Sequence, residues 1–308
     1  MEYVVECEGL RKEFRRTVAV DSIALRVRPG EVFGLIGPDG AGKTTTMRLL
    51  TAILPPTSGW ARVLGYDVRR DGQAIKERIG YVSQRFSLYG DLTVAENMEF
   101  FADLFQVPPE LRRQRSARLL AASRMTAFSD RLAQNLSGGM KQKLALACSL
   151  VHTPQALFLD EPTTGVDPVS RREFWSILYD LVREGMTLVV STPYMDEAER
   201  CQRIALMHQG RILVCDTPDA VRSRMTAAVI AVEASPQVAA RTALKALRGV
   251  QSVEAFGEQL HVVADARLGV GDVRGALEAA GVSVSAVAPI EAGLEDVFVS
   301  LVGGTGEA

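Results

Sequence analysis

Apolar and polar positions along the chain follow different rhythms in different stretches. Residues 4–10 and 18–27 alternate with a period of two, which predicts a pair of antiparallel strands with one buried face. Residues 32–36, 156–161 and 188–192 are short, mostly apolar runs, the second ending in paired acids, as expected for parallel strands covered on both faces. Helical spacing follows at 44–50 and again at 93–105 and 111–127, the last two forming a helical insertion over about 85–150. Residues 75–84 read as a polar helix end, a glycine stop at Gly80 and a short strand ending in Gln84. Beyond Pro218 the pattern becomes strand 227–234, helix 236–247, strands 250–256 and 259–265, helix 270–280, strand 282–288, then a short amphipathic helix at 293–301. That βαββαβ succession is ferredoxin-like. The predicted fold is therefore α/β. Residues 1–222 form a mixed-sheet domain with an antiparallel β subdomain and the helical insertion, and residues 223–308 a small α+β domain.

Composition narrows the function. The 308 residues are 47% hydrophobic and 23% charged, ordinary values for a globular protein of two unequal domains. No apolar run approaches the roughly 18 residues that span a bilayer, and the first residues lack a signal-peptide pattern, so the expected location is the cytosol. Cys7, Cys148, Cys201 and Cys215 fall at no metal-ligand or redox spacing and read as reduced and structural. A formal net charge of −2 argues against a nucleic-acid partner.

The sharpest chemistry lies at Gly37, Pro38, Asp39, Gly40, Ala41, Gly42, Lys43, Thr44 and Thr45, which satisfy G-x-x-x-x-G-K-S/T between an apolar run and a helix start. Glycines let the backbone curl so that consecutive N–H groups face an anion, and the helix dipole adds positive charge at the same point. Lys43 suits the β- and γ-phosphates of a nucleotide, and the Thr44 hydroxyl suits Mg²⁺. Asp39 is expected to point to solvent, because a carboxylate beside phosphate oxygens would repel them.

Further along, Leu136, Ser137, Gly138 and Gly139 open another helix with a hydroxyl and no Cβ to block approach, a second anion-binding terminus. Either two anions bind, or this terminus serves a nucleotide held by another subunit. Asp160 and Glu161 end an apolar strand. Asp160 suits a water-mediated Mg²⁺ contact, and Glu161 is free to polarise an attacking water. Gln84, at another strand end, can reach both Mg²⁺ and that water. Phe14 is an aromatic able to stack on a base, or a core residue.

GPDGAGKTT, the glutamine of YVSQ, LSGGMKQ, FLDEP and GVDP, in this order, resemble the nucleotide-binding subunit of an ABC transporter over residues 3 to about 222. The resemblance implies a P-loop NTPase ABC ATPase fold, ATP and Mg²⁺ as ligands, and hydrolysis through Glu161 with Lys43 and Gln84. It also implies a head-to-tail dimer, in which Leu136, Ser137, Gly138, Gly139 and Gln142 of one subunit close on the ATP of the other and Asp167 lies in the intervening loop. Phe14 becomes the adenine-stacking aromatic. The tail with LEDVF at 294–298 resembles the ATPases of drug, antibiotic and sodium exporters that work with type-2 permeases. The implied role is an exporter ATPase for drugs, small hydrophobic molecules or ions, peripheral on the inner face of a cell membrane. Phe86, Leu88 and Tyr89 are candidates for pressing on the permease, with packing inside the insertion as the alternative.

One departure from the family pattern matters. The family carries a histidine two residues past Ser191, where this chain has Pro193, and proline donates no hydrogen bond from side chain or backbone. Losing one such contact commonly slows turnover by about a hundredfold to a thousandfold. The expectation is good ATP binding with slow hydrolysis. Three alternatives stay open: pairing with a second, histidine-bearing ATPase, a non-catalytic ATP-binding regulator, and a non-transport ABC ATPase acting on ribosomes or DNA. The Arg112, Arg113, Arg115 and Arg118 run reads as a solvated helix face or as attraction to an anionic membrane.

Overall fold

A computed structural model describes residues 2–84, 88–265 and 267–303. Contacts divide the chain after Cys215 into two compact units, so that the helix at Pro218–Arg222 goes with the second. The sequence pattern alone places that boundary at residue 222.

The first unit opens with antiparallel strands β1 (Val5–Phe14) and β2 (Thr17–Val27), paired from Val5 and Val27 to Phe14 and Thr17. Phe14 is thus the last residue of β1 rather than part of a connection. Strand β3 (Val32–Ile36) is buried at every position and leads through residues 37–42 into α1 (Lys43–Leu50). Strands β4 (Ser58–Val63) and β5 (Tyr66–Asp67) complete a four-stranded antiparallel sheet in the order β2-β1-β4-β5. Helix α2 (Gly72–Lys76) and strand β6 (Ile79–Val82) follow.

Gly80 is inside β6 and is no helix stop. A Cβ there would stand 2.7 Å from Leu157 Cδ1 and 2.8 Å from the Ser149 carbonyl oxygen, so close packing and not turn geometry requires glycine.

Helix α3 (Val94–Leu104) begins in a capping box, in which the Thr93 side chain accepts from the Glu96 N–H while Glu96 accepts from the Thr93 N–H. Helix α4 (Pro109–Ala122) starts at a proline and ends sooner than the spacing predicted, because Arg124 adopts the left-handed conformation at φ 57°. These helices pack with α5 (Gly138–Leu150) around Val94, Met98, Leu120, Leu144 and Ala147. The arginine run on α4 is largely partnered: Arg112 meets Glu99 and Asp103, Arg115 donates to the Val151 carbonyl, and Arg118 pairs with Glu184 at 2.8 Å. Of the apolar residues after Gln84, Leu88 is half-buried and Tyr89 is 46% exposed; Phe86 lies outside the described residues.

Strand β7 (Ala156–Asp160), helix α6 (Pro168–Arg183), strand β8 (Thr187–Thr192), helix α7 (Met195–Ala198) and strands β9 (Arg203–His208) and β10 (Arg211–Asp216) finish the unit. The second sheet has the order β10-β9-β3-β8-β7-β6, with β9, β3, β8, β7 and β6 parallel. Its register sets Ile36 beside Thr192 and Asp160 beside Ser191. The carboxyl ends of five strands therefore share one rim, where ligands of open α/β sheets bind. Among the described residues, no helix is long and apolar enough to cross a membrane.

The second unit runs through α8 (Pro218–Arg222), β11 (Ala228–Ser235), α9 (Gln237–Lys245), β12 (Val250–Phe256), β13 (Gln259–Ala264), α10 (Val270–Ala279), β14 (Ser283–Ile290) and α11 (Leu294–Gly303). Its antiparallel sheet has the order β12-β13-β11-β14, the ferredoxin-like arrangement, over a separate core that includes Val232, Leu244, Leu260 and Leu277.

Gly80→Ala should lower stability by about 1–3 kcal/mol through overpacking against β7 and α5. Chemical denaturation followed by circular dichroism checks this, and an unchanged midpoint would contradict the packing argument.

Candidate functional site

The site is built on the shared rim. The chain leaves β3 at Gly37, where a Cβ would stand 2.2 Å from the Met207 carbonyl oxygen, and reaches α1 through Gly42 at φ 103°. Only glycine fits both constraints, and together they point the first turn of α1 into a cradle for an anion. Asp39 is exposed, as expected from charge repulsion.

Lys43, 3% exposed, turns back over the loop. Its Nζ donates to the carbonyls of Gly37 at 2.8 Å and Pro38 at 3.0 Å, and pairs with Glu161 Oε1 at 3.0 Å. Glu161 is 5% exposed, so this is a buried ion pair in which each charge depends on the other. Glu161 Oε2 accepts from Gln84 Nε2 at 2.8 Å and from Thr164 Oγ1 at 3.4 Å. Its backbone lies at φ 50°, left-handed and uncommon for a non-glycine residue, and is held there because its N–H donates to both the carbonyl and the hydroxyl of Ser191.

Asp160 is fully buried next door. Its Oδ1 accepts from Thr44 Oγ1 at 3.0 Å and Ser191 Oγ at 2.7 Å, and its Oδ2 from the Tyr81 hydroxyl at 3.3 Å. Burial pushes the Asp160 carboxyl above the usual carboxylate range; the Ser191, Thr44 and Tyr81 hydrogen bonds oppose that shift and the Glu161 charge adds to it. The Tyr81 hydroxyl is pushed up to about 12, first by burial and then by the Asp160 charge. A hydroxyl, a carboxylate and an amide side chain thus converge beside the cradle, an oxygen-rich set suited to a hard divalent cation that keeps most of its waters.

The structure gathers Lys43, Thr44, Asp160, Glu161 and Gln84 into one cluster. Ser191, Tyr81 and Thr164 join it. Their only sequence signal was position at or just past the end of a buried strand, which is too common to single them out. A second group forms where α5 meets α6. Ser137 caps α5, accepting from the Met140 N–H at 3.3 Å, and Ser137 and Gly138 are exposed. Gly139 is buried against α6, since a Cβ there would stand 2.6 Å from Ser170 Cβ. Asp167 caps α6 through the N–H groups of Val169 and Ser170, which hold its carboxyl below the usual range. Leu136 is buried and Gln142 half-buried nearby in sequence. Phe14 stands on the antiparallel sheet, 44% exposed, with Lys12 Nζ 5.1 Å from its ring centre. The cysteines are free, and burial raises Cys7, Cys148 and Cys201 well above the reactive range.

Comparison with known proteins agrees with this geometry. Residues 20–164 match a family model described as ABC transporter. The chain is 40% identical over 307 residues to the probable multidrug ABC transporter ATP-binding protein YbhF of Escherichia coli (strain K12), covering 98% of this chain and 53% of that protein. The chain thus spans about half the length of that relative. It is 35% identical over 303 residues to the Nod factor export ATP-binding protein I of Ralstonia nicotianae, covering 97% of this chain and 94% of the relative. Among solved structures it is similar to a dimeric ATP-binding cassette in a post-hydrolysis state bound to ADP and Pi, with TM-score 0.64 at 25% identity over 69% of this chain and 98% of that one.

Asp160→Asn keeps an acceptor for Thr44 and Ser191 and offers Tyr81 a donor, while removing a charge whose burial is unfavourable. Because the folded pKa lies above the ordinary 3.8, the penalty is absent below that pH and fully present once pH exceeds the raised value. The variant free of nucleotide and metal should therefore melt higher than the parent by about 2–4 °C near neutral pH, with the gap closing toward pH 4. Thermal scans from pH 4 to 8 check this; a gap that widens as pH falls would contradict the reading.

Proposed function

Since the chain belongs to the family of ABC transporter ATP-binding proteins, we propose that it binds and hydrolyses ATP to drive export through a separate membrane permease of type 2. The observation that carries the reading is the convergence of Lys43, Thr44, Asp160, Glu161 and Gln84 beside a glycine cradle at one sheet rim. In this reading Phe14 stacks on the adenine while residues 37–45 wrap the triphosphate. Thr44, Gln84 and, through water, Asp160 would hold Mg²⁺, which neutralises charge on the phosphate oxygens.

The buried pair then does the switching. Triphosphate oxygens compete with Glu161 for the Lys43 ammonium, so nucleotide entry frees the carboxylate that must act as base. Gln84 and Thr164 keep that carboxylate aimed while its ionic partner changes. At Pro193 the chain supplies no further donor to the attacking water or γ-phosphate, so Glu161 carries the step with one contact fewer and turnover is slow.

The exposed Ser137 and Gly138, with Gly139 behind them and Asp167 alongside, form a surface suited to the triphosphate of a second ATP-binding subunit. The dimeric relative bound to ADP and Pi supports that arrangement. For the permease, a cleft of about 220 Å³ lined in part by Tyr81, Leu88, Phe101 and Phe105 supports docking at the insertion, with exposed Tyr89 against Phe100 at its side. Such docking puts the protein on the inner face of the cell membrane. Relatives named for multidrug transport and Nod factor export support an exporter of drugs or other small molecules.

Phosphate release by the purified chain tests the proposal. Glu161→Gln should lower turnover at least about a hundredfold while MgATP still binds, and Pro193→His should raise turnover about tenfold or more. A wild type that binds MgATP without hydrolysing it, and is not rescued by Pro193→His, would contradict the proposal.

A further inference from the structure

A third buried carboxylate stands behind the site and takes no part in the chemistry proposed for Asp160 and Glu161. Glu197, in α7, is fully buried. Its Oε1 accepts from Thr163 Oγ1 and, at 3.1 Å, from Trp175 Nε1; its Oε2 accepts from Thr192 Oγ1 at 2.6 Å. Arg171 Nε lies 3.8 Å from Oε1 and supplies the compensating charge, while its guanidinium covers the Tyr194 ring at 4.2 Å.

The three donors belong to three segments that matter to the reaction. Thr163 is two residues past Glu161, in the turn where Thr164 reaches the Glu161 carboxylate. Thr192 ends β8, between Ser191, which takes the Glu161 N–H, and Pro193. Trp175 is on α6, the helix that Asp167 caps. One carboxylate thereby fixes the spacing of the base, the segment past β8 and the loop toward the second subunit.

The proline makes this fastening more important. Residue 193 has no N–H, so the turn after β8 closes through the Thr192 hydroxyl, which accepts from the Tyr194 N–H at 3.1 Å and donates to Glu197. Buried hydrogen bonds of this kind are directional, and their geometry restrains side chains more tightly than apolar packing would.

We propose that Glu197 is a positioning residue for ATP hydrolysis, holding the Glu161 turn against the Thr192–Pro193 segment so that the strained Glu161 stays aimed at the attacking water. This rests on the ATPase reading. What is required is the reach of the side chain: Glu197→Gln keeps that reach and the acceptor for Thr163 and Trp175, meeting the Thr192 hydroxyl with an amide donor instead, whereas Glu197→Asp keeps the charge but is one methylene too short to join all three segments. Thr163→Val removes one donor and no volume.

Turnover, KM for ATP, MgATP affinity and melting temperature of the full chain test it. Glu197→Asp should lower kcat about tenfold to a hundredfold with KM within about twofold, because small misplacement of a reacting group is costly in rate. Glu197→Gln should stay within about threefold of wild type, and Thr163→Val should fall about threefold to tenfold, adding little on top of Glu197→Asp. Should Glu197→Asp fail to fold, Thr163→Val carries the same comparison. Wild-type turnover per folded molecule in Glu197→Asp and Thr163→Val, or losses confined to melting temperature, overturn the inference and leave the ATPase reading intact. A wild type that binds MgATP and never turns it over overturns both.

Discussion

A buried charge must have a partner, and the functional end of this protein is arranged around that constraint. Lys43, at the start of α1, and Glu161, just past β7, are both almost wholly enclosed and sit 3.0 Å apart. Neither could be buried alone without a penalty of several kcal/mol. The pair exists because parallel strands β3, β8 and β7 bring Ile36, Thr192 and Asp160 to one rim, so that residues far apart in sequence leave the sheet side by side. A ligand rich in negative charge is the natural competitor for such an ammonium, and in the proposed reading its arrival releases the carboxylate. On that proposal, binding and activation of the base are one electrostatic exchange.

The surroundings are organised to survive that exchange. Glu161 occupies a left-handed backbone conformation that the Ser191 carbonyl and hydroxyl hold in place, and its carboxylate keeps contacts with Gln84 and Thr164 that do not depend on Lys43. Asp160 is kept buried by three hydroxyl donors despite the unfavourable shift in its titration. Glu197 adds a third anchored carboxylate one layer behind. Stability is given up at these acids for geometry, a pattern common where strain and buried charge serve a reaction.

Much of this was legible from the chain itself. Apolar runs gave β3, β7 and β8 almost to the residue, the glycine loop announced an anion cradle, and the βαββαβ rhythm of the second unit matched its observed order. What stayed hidden depends on three-dimensional packing. Gly80 looked like a helix stop and is a strand residue pressed against Leu157 and Ser149. The arginines of α4 looked free, but the acids that meet them lie on α3 and beyond α6. Glu197 resembles any acid on a short amphipathic helix, because nothing local reveals that Thr163, Thr192 and Trp175 fold onto it.

The central claim is that this rim and the Ser137–Gly138 surface of a second subunit close over a shared triphosphate. Sedimentation velocity on Glu161→Gln, with and without saturating MgATP, tests it most directly. The account predicts a monomer that becomes a dimer on adding nucleotide, and loss of that dimer when Ser137 is replaced by a bulky acid. A chain that binds MgATP yet sediments as a monomer at every concentration would contradict it.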